Sequence, residues 1–257
     1  METPAQFWYY DTSVSIVVPV FNEEKNIKSN IELLISQIVG HFKSYQLIIV
    51  SDGSTDNTVI ALQEVLENKN VSVLALEKNQ GKGAAIRKGF AKATGEYLFF
   101  IDGGMEIHPK EIRIFLGLML LYDADIVVGS KRHPQSSVRY PFYRRFLSLI
   151  FQYIIRFLFK INVTDSQVGM KLFKREVIMS VLPFLEIDRY GFDLELLTLA
   201  KFVGYEKMLE APVRLDYFLK NKKNILSDIF HVVKVGRLLI FDTTKLFFKI
   251  RKIRKEK

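Results

Sequence analysis

The sequence predicts an α/β fold: a mostly parallel sheet with helices on both faces. Three observations carry this. Short apolar runs rich in β-branched residues alternate with longer segments whose apolar residues recur at helical spacing. The apolar runs stop abruptly in Asp, Asn, Ser or Gly, and no Pro-, Gly- or Ser-rich linker divides the 257 residues, 49% of them hydrophobic. Strands covered on both faces read as near-continuous apolar runs, and strand–helix alternation marks parallel crossovers. A chain of this length can close one full core.

The first strand is "VSIVVPV" (14–20), followed by "NEEKNIKSNIELLISQIV", in which Ile27, Ile31, Leu34, Ile35 and Ile38 recur at helical spacing. "YQLIIVS" then leads through a turn to a helix carrying Val59, Leu62, Val65 and Leu66. "VSVLAL" precedes the helix of "GKGAAIRKGFAKA", "EYLFFID" is the fourth strand, and "ADIVVGS" is the fifth. Residues 146–159, "FLSLIFQYIIRFLF", are almost all apolar but broken by Gln152 and Arg156. That run is too short to cross a bilayer. It is expected to lie at a membrane interface, with a buried core helix as the alternative. The last segment, "NILSDIFHVVKVGRLLIFDTTKLFFKIRKIRKEK", is apolar on a broad face and basic at its end, an amphipathic membrane-associating pattern.

Composition narrows the function classes. Without cysteine there is no disulfide, thiol nucleophile or zinc–thiolate site, which suits a reducing compartment. His41, His108, His133 and His231 have no ligand spacing. "METPAQFWYY" lacks the basic start and long apolar stretch of a secretory signal, and reads as a packed or interfacial aromatic arm. The formal charge of +9 is concentrated in "KLFFKIRKIRKEK", with seven Lys or Arg and one Glu. Its cations alternate with Phe and Ile, which favours an anionic membrane surface over nucleic acid.

Ligands of parallel sheets bind at the carboxyl ends of strands. Those ends read "PVFNEE", "SDGSTDNT", "IDGGMEI" and "KRHP": three with acids, the last with cations. Turn chemistry explains any one alone, since Asp52 can form an Asx-turn and Ser54, Thr55 or Asp56 can cap a helix. It does not explain Asp52 and Asp102 together on strands expected to be neighbours. "NQGKG" places backbone N–H groups and Lys82 at a helix start, where an anion is welcome. Gly83 after Lys82 rules out a Walker phosphate loop.

In order along the chain, "IVVPVFNEE", "IIVSDGSTDNT", "NQGKGAAIRKGF", "FFIDGG", "VVGSKR", "VTDSQVGMKLFKREV" and "RYGFDLELL" resemble the family 2 glycosyltransferases of the GT-A fold, a Rossmann-like architecture. More narrowly they are similar to the polyprenyl-phosphate sugar synthases, the dolichyl-phosphate glucosyltransferase and mannose synthase group. The resemblance covers about residues 14–215, and implies a catalytic domain over 1–220, an acceptor- and membrane-facing segment near 131–165, and a basic membrane-associating segment over 221–257. It implies an inverting enzyme, peripheral on the cytoplasmic face of a membrane, that moves a hexose from a nucleotide-diphosphate sugar to a polyprenyl phosphate. UDP-glucose is the favoured donor, GDP-mannose the alternative, and an inactive nucleotide-sugar-binding scaffold the alternative of another class.

The resemblance also assigns residues. Pro19, Glu23, Asp52, Lys82, Asp102 and Gly103 fall on the donor side, Asp52 accepting from a ring N–H of the base. The family's strand end usually reads Asp-x-Asp and holds Mg²⁺ or Mn²⁺; here Gly104 replaces the second Asp. A hard cation that keeps water and phosphate oxygens needs only one or two carboxylates, so Asp102 with Glu106 is the expected metal pair. Gly103 and Gly104 would let backbone approach the diphosphate or sugar. A lipid phosphate, with a second pKa of about 6, is already largely dianionic at neutral pH and needs cations instead of a base. Lys131, Arg132, Arg139, Arg144 and Arg145 supply them, Lys131 and Arg132 foremost. Asp165 resembles the family's acid near the acceptor and would order these cations. Asp102, Lys131, Arg132 and Asp165 are thus the expected catalytic group.

Overall fold

The computed structural model describes residues 10–139, 152–216 and 225–255. Its elements in chain order are β1 (Tyr10–Val20), α1 (Ile27–Ile38), β2 (Phe42–Ser51), α2 (Thr58–Ala61), β3 (Val71–Ala75), α3 (Lys82–Phe90), β4 (Tyr97–Ile101), α4 (Ile112–Tyr122), β5 (Ile126–Ser130) and β6 (Ser137–Arg139). There follow α5 (152–159), β7 (Met170–Lys174), α6 (Arg175–Val181), α7 (Phe192–Phe202), β8 (Met208–Pro212), β9 (Arg214–Asp216) and α8 (Ile225–Lys255). The main sheet has seven strands in the order β3-β2-β1-β4-β7-β5-β8. Every pairing is parallel except those of β7, which runs antiparallel between β4 and β5. β6 and β9 form a separate parallel pair.

Alternate residues of each strand serve opposite faces, so one sheet supports two cores. Ile16, Val18, Ile49 and Phe99 pack with Ile31 and Leu34 of α1 and Phe115 and Leu116 of α4. Their neighbours Val17, Ile48, Val50 and Phe100 pack on the other side with α3, α6 and α7. This two-faced burial is why the strands read as unbroken apolar runs.

Three expectations change. The helix expected after "SDGSTDNT" is one α turn followed by a 3₁₀ turn at Glu64–Glu67, because, of its large apolar side chains, only Leu62 and Val65 are buried while Ile60 and Leu66 face solvent. Two anchors do not require a long amphipathic face. Asp52 and Asp102 are not on adjacent strands, since β1 lies between β2 and β4. Within 146–159, residues 152–159 form a helix with one buried and one exposed face, so the core-helix alternative holds for its buried side. Gln152, Ile155 and Phe159 are buried, whereas Tyr153, Ile154 and Phe157 are exposed, Phe157 at 84%. The polar break at Gln152 therefore faces inward, its amide donating to Ser166 Oγ at 3.3 Å.

The aromatic arm 1–9, Arg144, Arg145 and residues 217–224 lie outside the described residues. α8 docks on the α7 side: Leu246 and Ile250 join that core, Lys249 Nζ lies 3.0 Å from Glu195 Oε1, and Gly191 N–H donates to Asp242 at 3.0 Å. Among the described residues no helix is long and apolar enough to cross a membrane.

Candidate active site

A cleft of about 380 Å³ opens at the carboxyl ends of β1, β2 and β4, and Pro19, Glu23, Asp52, Lys82, Asp102 and Gly103 all line it. The strand ends are laced together. Asp52 N–H donates to Val20 O at 2.9 Å, Gly103 N–H to Pro19 O at 3.3 Å, and Asn30 Nδ2 to Gly103 O at 2.9 Å. Glu23 is set at the rim by its own N–H donating to Thr58 Oγ1 at 2.8 Å. Asp56 does what turn chemistry predicts, accepting from Thr58 N–H at 3.0 Å and Glu24 N–H at 3.2 Å.

Asp52 is buried, and its two carboxylate oxygens accept from Gln80 N–H and Gly81 N–H, each at 2.8 Å. It therefore clamps the loop before α3 while its side chain still borders the cleft. The expected anion site at that helix start is not formed. Gly83 and Ala84 N–H donate to Asp188 O at 2.7 and 3.2 Å, and Gln80 and Gly81 N–H are taken by Asp52. Lys82 alone remains for an anion. The reason given for Gly103 changes too: a Cβ there would fall 2.4 Å from Val20 Cγ1, so the glycine serves close packing against β1. A Cβ on Gly104 would meet only Glu23 Oε1, at 4.0 Å, leaving that position open to the cleft.

Beneath the cleft lies a chain of alternating charge. Lys82 Nζ is 2.8 Å from Asp102 Oδ1 and 3.7 Å from Asp193 Oδ2; Asp193 Oδ1 is 2.5 Å from Lys171 Nζ, which also donates to Val168 O at 2.7 Å. The two ammonium groups lie 5.2 and 4.8 Å from the ring centre of Phe100, a favourable placement for cations. Burial pulls the Lys82 ammonium toward neutrality, but Asp102 and Asp193 together outweigh it and hold its pKa above an ordinary lysine's. Lys171 goes the other way: burial first, with Lys82 adding, lowers its pKa against the pull of Asp193. Sequence reasoning missed Lys171 and Asp193, and also Arg189 and Tyr190, which wall the cleft from the loop before α7.

A second, smaller cavity of about 80 Å³ shares Asp102 with the cleft and is bordered by Glu106, Lys131 and Gln167. Lys131 approaches Asp165 twice, through its N–H at 3.4 Å and its ammonium at 3.6 Å. Asp165 is buried, and the turn that carries it is pinned by Glu210, which accepts from Thr164 N–H at 2.6 Å. Arg132 donates to the Thr164 carbonyl. Asp165 and the Lys131–Arg132 pair thus come together as one unit. Arg139 lies in β6, opposite Asp216 in register. Arg144 and Arg145 are outside the described residues.

Among the described residues no three Asp, Glu or His side chains converge as a cation cage. Asp102 and Glu106 do border the same cavity. Two carboxylates fit Mg²⁺ or Mn²⁺ when water and substrate phosphates complete the shell.

A cleft at the parallel strand ends, with an acid at each of two strand exits and a cationic turn beside them, lies where ligands of open α/β sheets bind. The model of the family described as Glycosyl transferase family 2 matches residues 15–182, and the chain belongs to that family. It is 31% identical over 202 residues to dolichyl-phosphate beta-glucosyltransferase of Dictyostelium discoideum, covering 73% of this chain and 62% of that protein. It is 32% identical over 217 residues to the Homo sapiens protein of the same name, covering 78% and 67%. The chain thus spans about three fifths to two thirds of these relatives' lengths. Among solved structures, glucosyl-3-phosphoglycerate synthase of Mycobacterium tuberculosis, in complex with Mn²⁺, UDP and glucosyl-3-phosphoglycerate, superposes with a TM-score of 0.68 at 21% identity over 91% of this chain and 80% of that one. The fold is the expected GT-A type.

Proposed function

We propose that this protein transfers a hexose, with inversion, from a nucleotide-diphosphate sugar to a polyprenyl phosphate, with UDP-glucose as donor. The observation that carries this is Asp102, shared between the donor-sized cleft and the cavity bordered by Lys131. The dolichyl-phosphate glucosyltransferases among its relatives support the donor and acceptor. A phosphate oxygen of the acceptor attacks the anomeric carbon, the bond to the diphosphate oxygen breaks, and the nucleotide diphosphate leaves. The attacking dianion needs no base. Lys131 and Arg132 gather and orient it, Asp165 holding the Lys131 ammonium in place, and Lys82 offsets charge on the departing diphosphate. A divalent cation held by Asp102 with Glu106 would supply further neutralisation of that leaving group.

The acceptor lives in a membrane, and the chain offers a surface for one on its cytoplasmic face. Tyr153, Ile154 and Phe157 of α5 and Ile240, Phe241 and Phe248 of α8 are exposed, and α8 ends in the basic run "KIRKIRK". Apolar side chains that insert beside cations meeting headgroups make a peripheral anchor.

The test is transfer of labelled sugar by the full chain into polyprenyl phosphate, from UDP-glucose and GDP-mannose in turn, with and without Mn²⁺. Labelled lipid from UDP-glucose, at a rate falling below about pH 6 as the acceptor protonates, is the expected result. Transfer from GDP-mannose alone would assign the mannosyl reaction, and donor binding without transfer would assign a scaffold.

A further inference from the structure

The smaller cavity holds a group that the reading above does not use. Gln167 borders it, and the Gln167 Nε2 atom is buried without a hydrogen-bond partner among the described residues. Such an N–H is destabilising when left unsatisfied, and folded proteins keep few of them. Its placement is tightly specified. Gln167 N–H donates to Asp165 Oδ1 at 3.3 Å, the neighbouring Ser166 Oγ accepts from Gln152, and Asp102 N–H donates to Gly169 O at 2.9 Å. A Cβ on residue 169 would fall 2.1 Å from Asp102 Oδ2, so this stretch lies directly along the Asp102 carboxylate. Gln167 is therefore held beside the point where the donor cleft and the cavity meet.

The chemistry of the lining selects the ligand. Asp102 is offset by Lys82 and Lys131 by Asp165, and among the described residues no ion pair offsets Glu106. The cavity, about 80 Å³, has room for only two or three waters at roughly 30 Å³ each, too little for a nucleobase. A hydroxyl oxygen accepts, so a hydroxyl on one edge of a sugar ring satisfies the Gln167 amide N–H. We propose that this cavity seats a hydroxyl-bearing edge of the transferred hexose, with Gln167 Nε2 donating to one hydroxyl oxygen, which makes Gln167 a specificity-determining residue for the sugar. This rests on the protein being a nucleotide-sugar transferase.

The experiment uses the full chain as wild type, Gln167→Met, which keeps the side-chain length, and Gln167→Ala. Equilibrium binding is measured for UDP, for UDP-glucose, and for UDP-glucose analogues lacking one hydroxyl at a time; the KM for polyprenyl phosphate is measured alongside. Both variants should bind UDP as wild type does, and should lose about tenfold in affinity for UDP-glucose, the value of one hydrogen bond of about 1.4 kcal/mol. One deoxy analogue should bind wild type and variants equally, because it lacks the hydroxyl that Gln167 contacts. An equal loss across every analogue, or a raised KM for the lipid with sugar binding intact, overturns the proposal. Wild type that favours UDP-glucose over UDP while Gln167→Met does so equally also overturns it, and leaves the transferase reading standing. Wild type that binds no nucleotide sugar ends both.

Discussion

Lys171 is fully buried, and a buried lysine persists only when paired. Replacing it with Met keeps most of its volume but leaves Asp193 Oδ1 without the ammonium at 2.5 Å and Val168 O without its donor at 2.7 Å. Removing one partner of a buried pair costs roughly 3–5 kcal/mol, because the remaining charge stays desolvated. For a chain of this size that is a fall of roughly 6–20 °C in Tm. Asp193→Leu should cost a similar amount, since it leaves the Lys171 and Lys82 ammonium groups facing each other. The double variant Lys171→Met/Asp193→Leu removes both charges and should be clearly more stable than the sum of the singles predicts, with a coupling of at least about 1 kcal/mol. Urea unfolding followed by far-UV circular dichroism, with m unchanged, measures all three. Additive losses, or a cost for Lys171→Met under about 1 kcal/mol, would refute the claim that the pair acts as one unit. Donor kinetics give a second check. The double variant leaves Lys82 with Asp102 as its sole carboxylate, so kcat should fall even where stability is recovered.

Asp102→Asn should reduce kcat by roughly 10²–10³-fold, the usual effect of losing one electrostatic contact to a departing group; undiminished turnover in chelator would remove both Asp102 and the metal from the reaction. Glu111 is buried with one oxygen unpartnered among the described residues, and burial raises its carboxyl pKa against the pull of nearby cations. The folded state then holds its proton more tightly than the unfolded chain, so stability falls as pH rises from the ordinary glutamate range through the raised value. Glu111→Gln should flatten that slope and stabilise the protein at neutral pH; an unchanged denaturation profile between pH 4 and pH 8 contradicts this. Changing Arg251, Lys252 and Lys255 to Gln should weaken binding to anionic vesicles about a hundredfold, at about 1 kcal/mol per cation, with little change in Tm. Equal vesicle binding would show that the tail is not the anchor. Truncation at residue 243 is a poorer test, because Leu246 and Ile250 belong to the core.

Strand positions were legible because strands buried on both faces leave continuous apolar runs, and "VSIVVPV", "YQLIIVS" and "EYLFFID" all fall within main-sheet strands or at their ends. Strand order was not. Nothing local in "MKLFK" says that β7 enters antiparallel between β4 and β5, or that β1 separates the strands bearing Asp52 and Asp102. Pairing is decided by which faces remain uncovered once the helices have packed, and that information is not local. The same limit applies to α5: an apolar run with one Gln reads as a core or a lipid face, and only the packing shows Gln152 turned inward toward Ser166.

In the candidate site, residues at strand exits were legible and those within elements were not. Asp102, Asp52 and Lys82 stand where a chain changes direction, and a charged residue there invites a reason. Lys171 alternates with Met170 and Leu172 as a polar position in a strand would, and Asp193 sits in the first turn of α7, where acids are ordinary. Only three-dimensional placement shows that these two carry the charge balance. Lys82 faces Asp102 and Asp193, and Asp193 in turn faces Lys171. Each carboxylate makes the next ammonium tolerable in a buried setting, and both ammonium groups also lie near the Phe100 ring, 5.2 and 4.8 Å from its centre. The consequence reaches Gly104. Where a second acid would stand in the usual motif, this chain leaves open space, while Lys82 already lies against the remaining Asp102. On the proposed mechanism, charge neutralisation at the diphosphate is shared between the Lys82 ammonium and a cation brought with the substrate, and the dependence of rate on Mn²⁺ measures the division between them.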